Sequence, residues 1–291
     1  MRKFSGTGVA LVTPFDHTGA VDYTALTTIV NQQIENGTDF LVVQGTTAET
    51  ATLTEEEKVK VLNHVITVND GKLPIVLGMG GNNTMELVEK IKNFQTKGVD
   101  GFLTVSPYYN KPTQEGIFQH YKAIDEVSSL PIIAYNVPGR TGSNMTAETT
   151  LRIAALQNIV AVKEASGDLE QVMSIIEKAP EGFLILSGDD ALTLPMIALG
   201  AHGVISVVAN AFPARFSAMV QSALANDFVK ARKEHYPLLE VTKLLFKEGN
   251  PGGVKSALAH LNWSTDELRL PLVNVSKSTD KLIAAEVSKL N

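Results

Sequence analysis

Lys163 stands at the end of an apolar run, "IVAVKEAS" (Ile159–Ser166), directly before Glu164. Such a run reads as a strand covered on both faces, where an ammonium is costly unless paired, exposed at the strand end, or neutral. Alternation puts Ile159, Ala161, Lys163 and Ala165 on one face, and Val160 and Val162 on the other. If the lysine face points into an enclosed space, desolvation favours the neutral amine, a nucleophile toward carbonyls. The alternative is a solvated strand-end lysine. Tyr135, in "IIAYNVPGRTG", ends a second apolar run. A phenol beside a reactive amine can pass protons to and from a carbonyl oxygen; the competing reading is a core tyrosine with its hydroxyl satisfied. Thr46 and Thr47 in "GTTAET" offer hydroxyls and backbone N–H groups at a strand-to-helix turn. Such a turn either holds a small carboxylate or caps a helix. Arg140, just past Pro138-Gly139, either grips a carboxylate bidentately or is solvated at the surface.

These residues need elements that bring them together. Eight short β-branched runs recur along the chain: 8–15, 40–45, 74–80, 101–107, 131–138, 159–166, 183–190 and 203–210. Helical periodicity fills the gaps. In "LTEEEKVKVLNHVITVN", Thr54 and Glu57 form a capping-box pair, and Val59, Leu62, Val65 and Ile66 are expected to share the buried face. Eight strands alternating with helices match a (β/α)₈ TIM barrel, an α/β fold, better than an open doubly wound sheet. The first strand-to-helix turn also lacks the G-x-G-x-x-G of dinucleotide binders. Barrel active sites lie at the C-terminal ends of the strands. That filter collects Thr13, Thr46, Thr47, Tyr108, Tyr109, Tyr135, Arg140, Lys163, Gly188, Asp189 and the segment 205–210. After about Asn210 the strand signal stops, and Asn250-Pro251 reads as an N-cap followed by proline at the first helical position. The expected division is a catalytic barrel over 1–226 and a C-terminal helical region over 227–291 packed on it.

The totals exclude several function classes. The chain has 291 residues, 44% hydrophobic and 19% charged, enough for one large barrel. A net charge of −6 without a basic cluster argues against nucleic acid. Cysteine is absent, which removes disulfides and thiolate metal sites. The six histidines form no H-x-x-H or H-x-x-x-H pair, and Gly78, Gly80 and Gly81 are not followed by G-K-[ST], so neither local zinc binding nor a phosphate loop is supported. Asp189-Asp190 is a weak cation candidate against solvation or helix capping. No signal-peptide core and no membrane-spanning run stand out, so no membrane association and a cytoplasmic location are expected.

As an ordered set, "GVALVTPF", "GTTAETATLT", "TVSPYYNKPTQEGIFQHY", "YNVPGRTG", "VAVKEASGD", "LSGDD" and "GAHGVISVVAN" resemble the pyruvate-dependent class I aldolase family of dihydrodipicolinate synthases and N-acetylneuraminate lyases. Thr-Thr-x-Glu and Tyr-Asn-Val-Pro-x-Arg-Thr-Gly resemble the synthase branch, since the lyases typically carry Ser-Thr and lack the arginine. Ala48 and Thr50 stand where synthases usually have Gly and Ser. The resemblance implies condensation of pyruvate with L-aspartate 4-semialdehyde to 4-hydroxy-tetrahydrodipicolinate, the first committed step of diaminopimelate and lysine synthesis, without cofactor or metal. It implies that Lys163 is the Schiff-base lysine, Tyr135 the proton-transferring tyrosine and Thr46 the relay hydroxyl. Tyr109 matches the relay tyrosine that reaches the neighbouring subunit of a homo-oligomer, expected here as a dimer of dimers. Thr47 and Ile205 match pyruvate-binding positions, Arg140 the semialdehyde-carboxylate position, and Gly188 the pocket edge. A regulatory lysine site would involve Thr50, Ala51, Glu55, Lys58, Asn82, Glu86 and Tyr108. Regulated members usually carry histidines where this chain has Glu55 and Lys58, which points to weak or absent inhibition. The rival readings are a sister aldolase acting on 2-keto-3-deoxy sugar acids or sialic acid, and a non-catalytic carboxylate-binding barrel.

Overall fold

Eight parallel strands close into a barrel in a computed structural model that describes residues 3–290. Met1, Arg2 and Asn291, at the ends of the two expected segments, lie outside the described residues. The strands are β1 (Gly6–Ala10), β2 (Phe40–Val43), β3 (Ile75–Gly78), β4 (Gly101–Val105), β5 (Ile132–Asn136), β6 (Ile159–Glu164), β7 (Leu184–Ser187) and β8 (Gly203–Ser206). Each pairs with its sequence neighbours, and β8 closes onto β1 with Gly8 opposite Ile205. The TIM barrel expected from the periodicity is the fold observed. The strands are shorter than their apolar runs, because the runs continue into the loops that carry the site. β1 also starts two residues before its expected run.

The helices that follow the strands are α1 (Tyr23–Glu35), α2 (Glu55–Asn69), α3 (Thr84–Lys92), α4 (Gln114–Asp125), α5 (Pro138–Thr141) and α6 (Ala147–Ala154). They continue with α7 (Leu169–Lys178), α8 (Thr193–Leu199) and α9 (Pro213–Leu224), and the chain ends in α10 (Phe228–Phe246), α11 (Gly252–His260) and α12 (Lys277–Leu290). The capping box of α2 is present: Glu57 N donates to Thr54 Oγ1 at 3.2 Å, and Thr54 N donates to Glu57 Oε2 at 2.9 Å. Its buried face is rotated from the expected one. Val61, Leu62 and Val65 are buried, whereas Val59 is 59% exposed. The helix packs against α1, where His64 meets Thr27 and the Tyr23 ring, and periodicity by itself does not say which apolar residue lies at the edge of a stripe. Asn250 is not the N-cap of α11, which starts at Gly252 with Pro251 at the cap.

The core has two shells. Phe40, Val76, Ile133, Ala161, Leu184 and Ile205 fill the barrel interior. The outer shell, which includes Ile29, Ile117, Ile159 and Val162, lies between strands and helices. Small residues make room for large ones inside: a Cβ on Gly8 would meet the Phe40 ring at 2.2 Å. β6 departs from simple alternation. Its pairing with β5 shifts between Ile132 and Ile133, so Ile132 faces Ile159 while Ile133 faces Ala161. The extra residue, Val160, packs against the interior, and Ile159 lies in the outer shell. The bulge reverses the two faces for Ile159 and Val160 while leaving Ala161 inward.

Candidate active site

Every residue singled out for chemistry lies at or beyond the C-terminal end of a strand. Tyr135, Lys163 and Ile205 are each the penultimate residue of β5, β6 and β8. Gly188 directly follows β7, Thr46 and Thr47 follow β2, Tyr108 and Tyr109 follow β4, and Arg140 sits on α5. Lys163 pairs in register with Tyr135 on one side and Leu186 on the other. Its side chain is buried, and Nζ lies 4.3 Å from the centre of the Tyr135 ring. Lys163 makes no ion pair among the described residues. The solvated strand-end alternative is therefore replaced by an amine against an aromatic face. Ile205 shares the interior cluster with Tyr135. At Gly188 a Cβ would come within 2.6 Å of Ala165 Cβ and 3.2 Å of Lys163 Cε, so the absent side chain lets Ala165 and the lysine stem pack directly against the Gly188 backbone.

The surrounding polar groups fix these strand ends. Tyr121 on α4 accepts from Tyr135 N at 3.3 Å and donates to Thr104 O at 2.8 Å, and burial pushes its phenol above the ordinary range. Glu164 points away from the interior. It accepts from Asn136 Nδ2 at 3.0 Å, Gln171 Nε2 at 3.1 Å and Ser166 N at 2.7 Å, while burial raises its pKa against these donors. Asp190 is held by the Ser206 hydroxyl and by Val207 N at 3.1 Å, and burial raises its pKa to about 6. Asp189 accepts from Ala191 N and Leu192 N. The acidic pair thus splits between turn capping and a buried brace for the loop after β8.

Thr46–Ala48 forms a 3₁₀ turn. A second turn (Thr50–Thr52) and the Thr54 cap separate it from α2, so Thr46 and Thr47 do not cap that helix. Thr46 is exposed and Thr47 buried. Thr47 Oγ1 accepts from Asn250 Nδ2 at 3.0 Å, and Arg140 Nη2 reaches the Asn250 carbonyl at 3.5 Å. Past the turn, Glu49 pairs with Lys255 on α11 at 2.5 Å with both side chains fully buried; burial pushes the lysine down to about 8 even though Glu49 opposes the shift. Glu57 accepts both terminal nitrogens of Arg269, at 2.8 and 2.6 Å. Sequence reasoning gave Asn250, Glu49, Lys255 and Arg269 no part in the site. The local signals were the proline after Asn250 and the place of Glu49 at the end of the Thr-Thr-x-Glu motif.

Tyr109 is not packed among the others within one chain. It is 86% exposed on a backbone with φ of 77°, a conformation costing about 1–3 kcal/mol for such a residue. The residues matched to a lysine site lie along the same rim. Lys58 pairs with Glu55 at 2.7 Å and Lys90 with Glu86 at 2.6 Å, while Asn82 Nδ2 donates to Tyr108 O at 3.3 Å. Thr50 and Ala51 occupy the second 3₁₀ turn. Among the described residues no helix is long and apolar enough to cross a membrane.

Comparison with known proteins agrees with this arrangement. The sequence matches the dihydrodipicolinate synthetase family over residues 3–290. It is 56% identical over 272 residues to a 4-hydroxy-tetrahydrodipicolinate synthase of Parabacteroides distasonis, covering 93% of this chain and 92% of that one. A dihydrodipicolinate synthase of Acinetobacter baumannii, solved chloride-inhibited and with pyruvate, superimposes with a TM-score of 0.95 at 39% identity over 98% of each chain. The Cyanidioschyzon merolae enzyme, solved with lysine bound, does so with a TM-score of 0.95 at 39% identity, covering 100% of this chain and 99% of that one. This chain belongs to the dihydrodipicolinate synthetase family.

Proposed function

We propose that this barrel condenses pyruvate with L-aspartate 4-semialdehyde to 4-hydroxy-tetrahydrodipicolinate, with Lys163 carrying the pyruvate. The observation that carries the assignment is the Lys163 amine against the Tyr135 ring at the barrel mouth, with the lysine stem packed on the Gly188 backbone. The neutral amine adds to the ketone carbon, and loss of water gives an iminium. The iminium draws electrons from C3, so a C3 proton leaves and an enamine forms without metal or organic cofactor. Tyr135 gives and takes protons, with Thr46 and Tyr109 linking it to solvent. The enamine carbon bonds to the aldehyde carbon, whose oxygen takes a proton. The semialdehyde's amine then displaces Lys163 by transimination and closes a six-membered ring.

In this reading Thr47 and Ile205 hold pyruvate, Arg140 grips the semialdehyde carboxylate, and Gly188 shapes the pocket edge. The 52% identical 4-hydroxy-tetrahydrodipicolinate synthase of Phocaeicola vulgatus, aligned over 99% of this chain, supports the same activity. The protein works in the cytoplasm as a homo-oligomer, a dimer of dimers in which Tyr109 serves the partner's site. Its catalytic unit is the barrel over 1–226, with 227–291 packed on it. Borohydride reduction in the presence of pyruvate, followed by peptide mass mapping, tests the central step. A reduced pyruvyl group on Lys163 and on no other residue is expected; labelling elsewhere, or none, rules the mechanism out.

A further inference from the structure

The C-terminal segment meets the Thr46–Ala48 turn through Asn250. This side chain is 8% exposed and donates from Nδ2 to Thr47 Oγ1 at 3.0 Å, across 203 residues of sequence. A threonine hydroxyl has one proton and two acceptor lone pairs. With Asn250 donating into a lone pair, the hydroxyl proton remains available for another acceptor. Thr47 is 2% exposed, and a carboxylate reaching it needs a donor there. Asn250 Oδ1 is also buried and has no hydrogen-bond partner among the described residues, so only one end of the amide is committed.

The placement is held at a second point. Five residues beyond Asn250, Lys255 on α11 pairs with Glu49, two residues beyond Thr47. Lys255 also donates to Glu267 O at 2.9 Å and lies 4.0 Å from the centre of the Phe15 ring. The turn and the segment that orients it therefore share two anchors.

We propose that Asn250 is a positioning residue that orients the Thr47 hydroxyl as a donor to the pyruvate carboxylate. The inference rests on the reading of Thr47 as a pyruvate-binding residue. It explains why a buried amide from outside the barrel strands is committed to a hydroxyl at the barrel mouth. Because the contact to Arg140 comes from the Asn250 backbone carbonyl, substitution of the side chain leaves the aldehyde grip in place.

Steady-state kinetics on Asn250→Asp, Asn250→Ala, Thr47→Val and the Asn250→Ala/Thr47→Val double variant tests this. The aspartate keeps the size of the side chain but offers only acceptors, which draw the Thr47 proton away from substrate. KM for pyruvate is expected to rise about tenfold in Asn250→Asp and about threefold in Asn250→Ala, the scale of one hydrogen bond. The turnover number and KM for the semialdehyde should stay within about twofold. In the Thr47→Val background, Asn250→Ala should add no further rise, because residues acting through one contact are not additive. An unchanged KM for pyruvate, fully additive penalties, or a joint fall in all parameters each overturns the proposal. Failure of borohydride to label Lys163 in the wild-type chain would instead remove the underlying site reading. If the variants do not fold, a crystal structure of the wild-type chain with pyruvate gives the answer. Thr47 Oγ1 should lie within about 3 Å of a carboxylate oxygen with Asn250 Nδ2 still donating to it, and a Thr47 hydroxyl turned toward Asn250 Oδ1 overturns the proposal.

Discussion

A single methyl group shows how closely the site is packed. Gly188 has an ordinary backbone conformation, so alanine is tolerated by the main chain, but its Cβ would collide with Ala165 Cβ and press on Lys163 Cε. Gly188→Ala should therefore lose about 1–3 kcal/mol of stability, as overpacking does, while still folding, and should form the pyruvate imine at least about tenfold more slowly, since small misplacements of a reacting group cost large factors in rate. Stopped-flow imine formation checks this; a normal rate would mean that the lysine does not use this space. At the same scale, the charges matched to a lysine site are already paired, Lys58 with Glu55 and Glu86 with Lys90 from outside that set. An incoming amino acid would have to compete with these partners, and Lys58 would repel its side-chain ammonium. Added L-lysine is expected to inhibit only at millimolar concentrations or not at all, and micromolar inhibition in an initial-rate titration would refute this.

Among the elements, α2 and the segment before α12 are joined by the Glu57–Arg269 pair, whose guanidinium also donates to Gly19 O and Thr52 O. The Arg269 hydrogen bond holds the Glu57 carboxyl down to about 2. A depressed carboxylate contributes stability that is present above its unfolded value, near 4.5, and is lost as pH falls through about 2. Arg269→Met should cost about 1–2 kcal/mol at neutral pH, the low end for charged hydrogen bonds because the pair is partly solvated. The difference from wild type should narrow between pH 5 and pH 2. Urea unfolding at several pH values measures it, and a gap independent of pH would assign the loss to packing on Phe15 rather than to charge. The Glu49–Lys255 pair is a different case, because both side chains are fully buried and removal of one strands the other.

For the whole molecule, the barrel brings Lys163, Tyr135, Ile205 and Gly188 to one end but leaves Tyr109 extended into solvent. A strained, exposed tyrosine is explained if a second copy receives it. Tyr109→Phe and Lys163→Ala are each expected to be nearly inactive. Mixed and allowed to exchange subunits, they should form hybrids with one site that has both native residues, restoring up to about a quarter of wild-type activity if half of the dimers are hybrid and one of their two sites works. Activity that stays at the level of the parents despite demonstrated exchange would place Tyr109 in its own chain's site or outside the relay.

Local sequence was enough for the parts of this protein that depend on near neighbours. Short β-branched apolar runs gave the eight strands, the Thr54/Glu57 pair gave the start of α2, and strand-end position gave Lys163, Tyr135, Thr47, Gly188 and Ile205 as candidates. Tertiary structure decided the rest, because closure of the barrel sets constraints that no short window contains. The bulge at Val160 arises from register against β5 and turns Ile159 outward. Neighbouring helices, not the apolar stripe alone, choose Val61 over Val59. The grip on the Thr46–Ala48 turn comes from Asn250 and Lys255, residues that approach it only after the chain has gone once around the barrel and returned through α10 and α11.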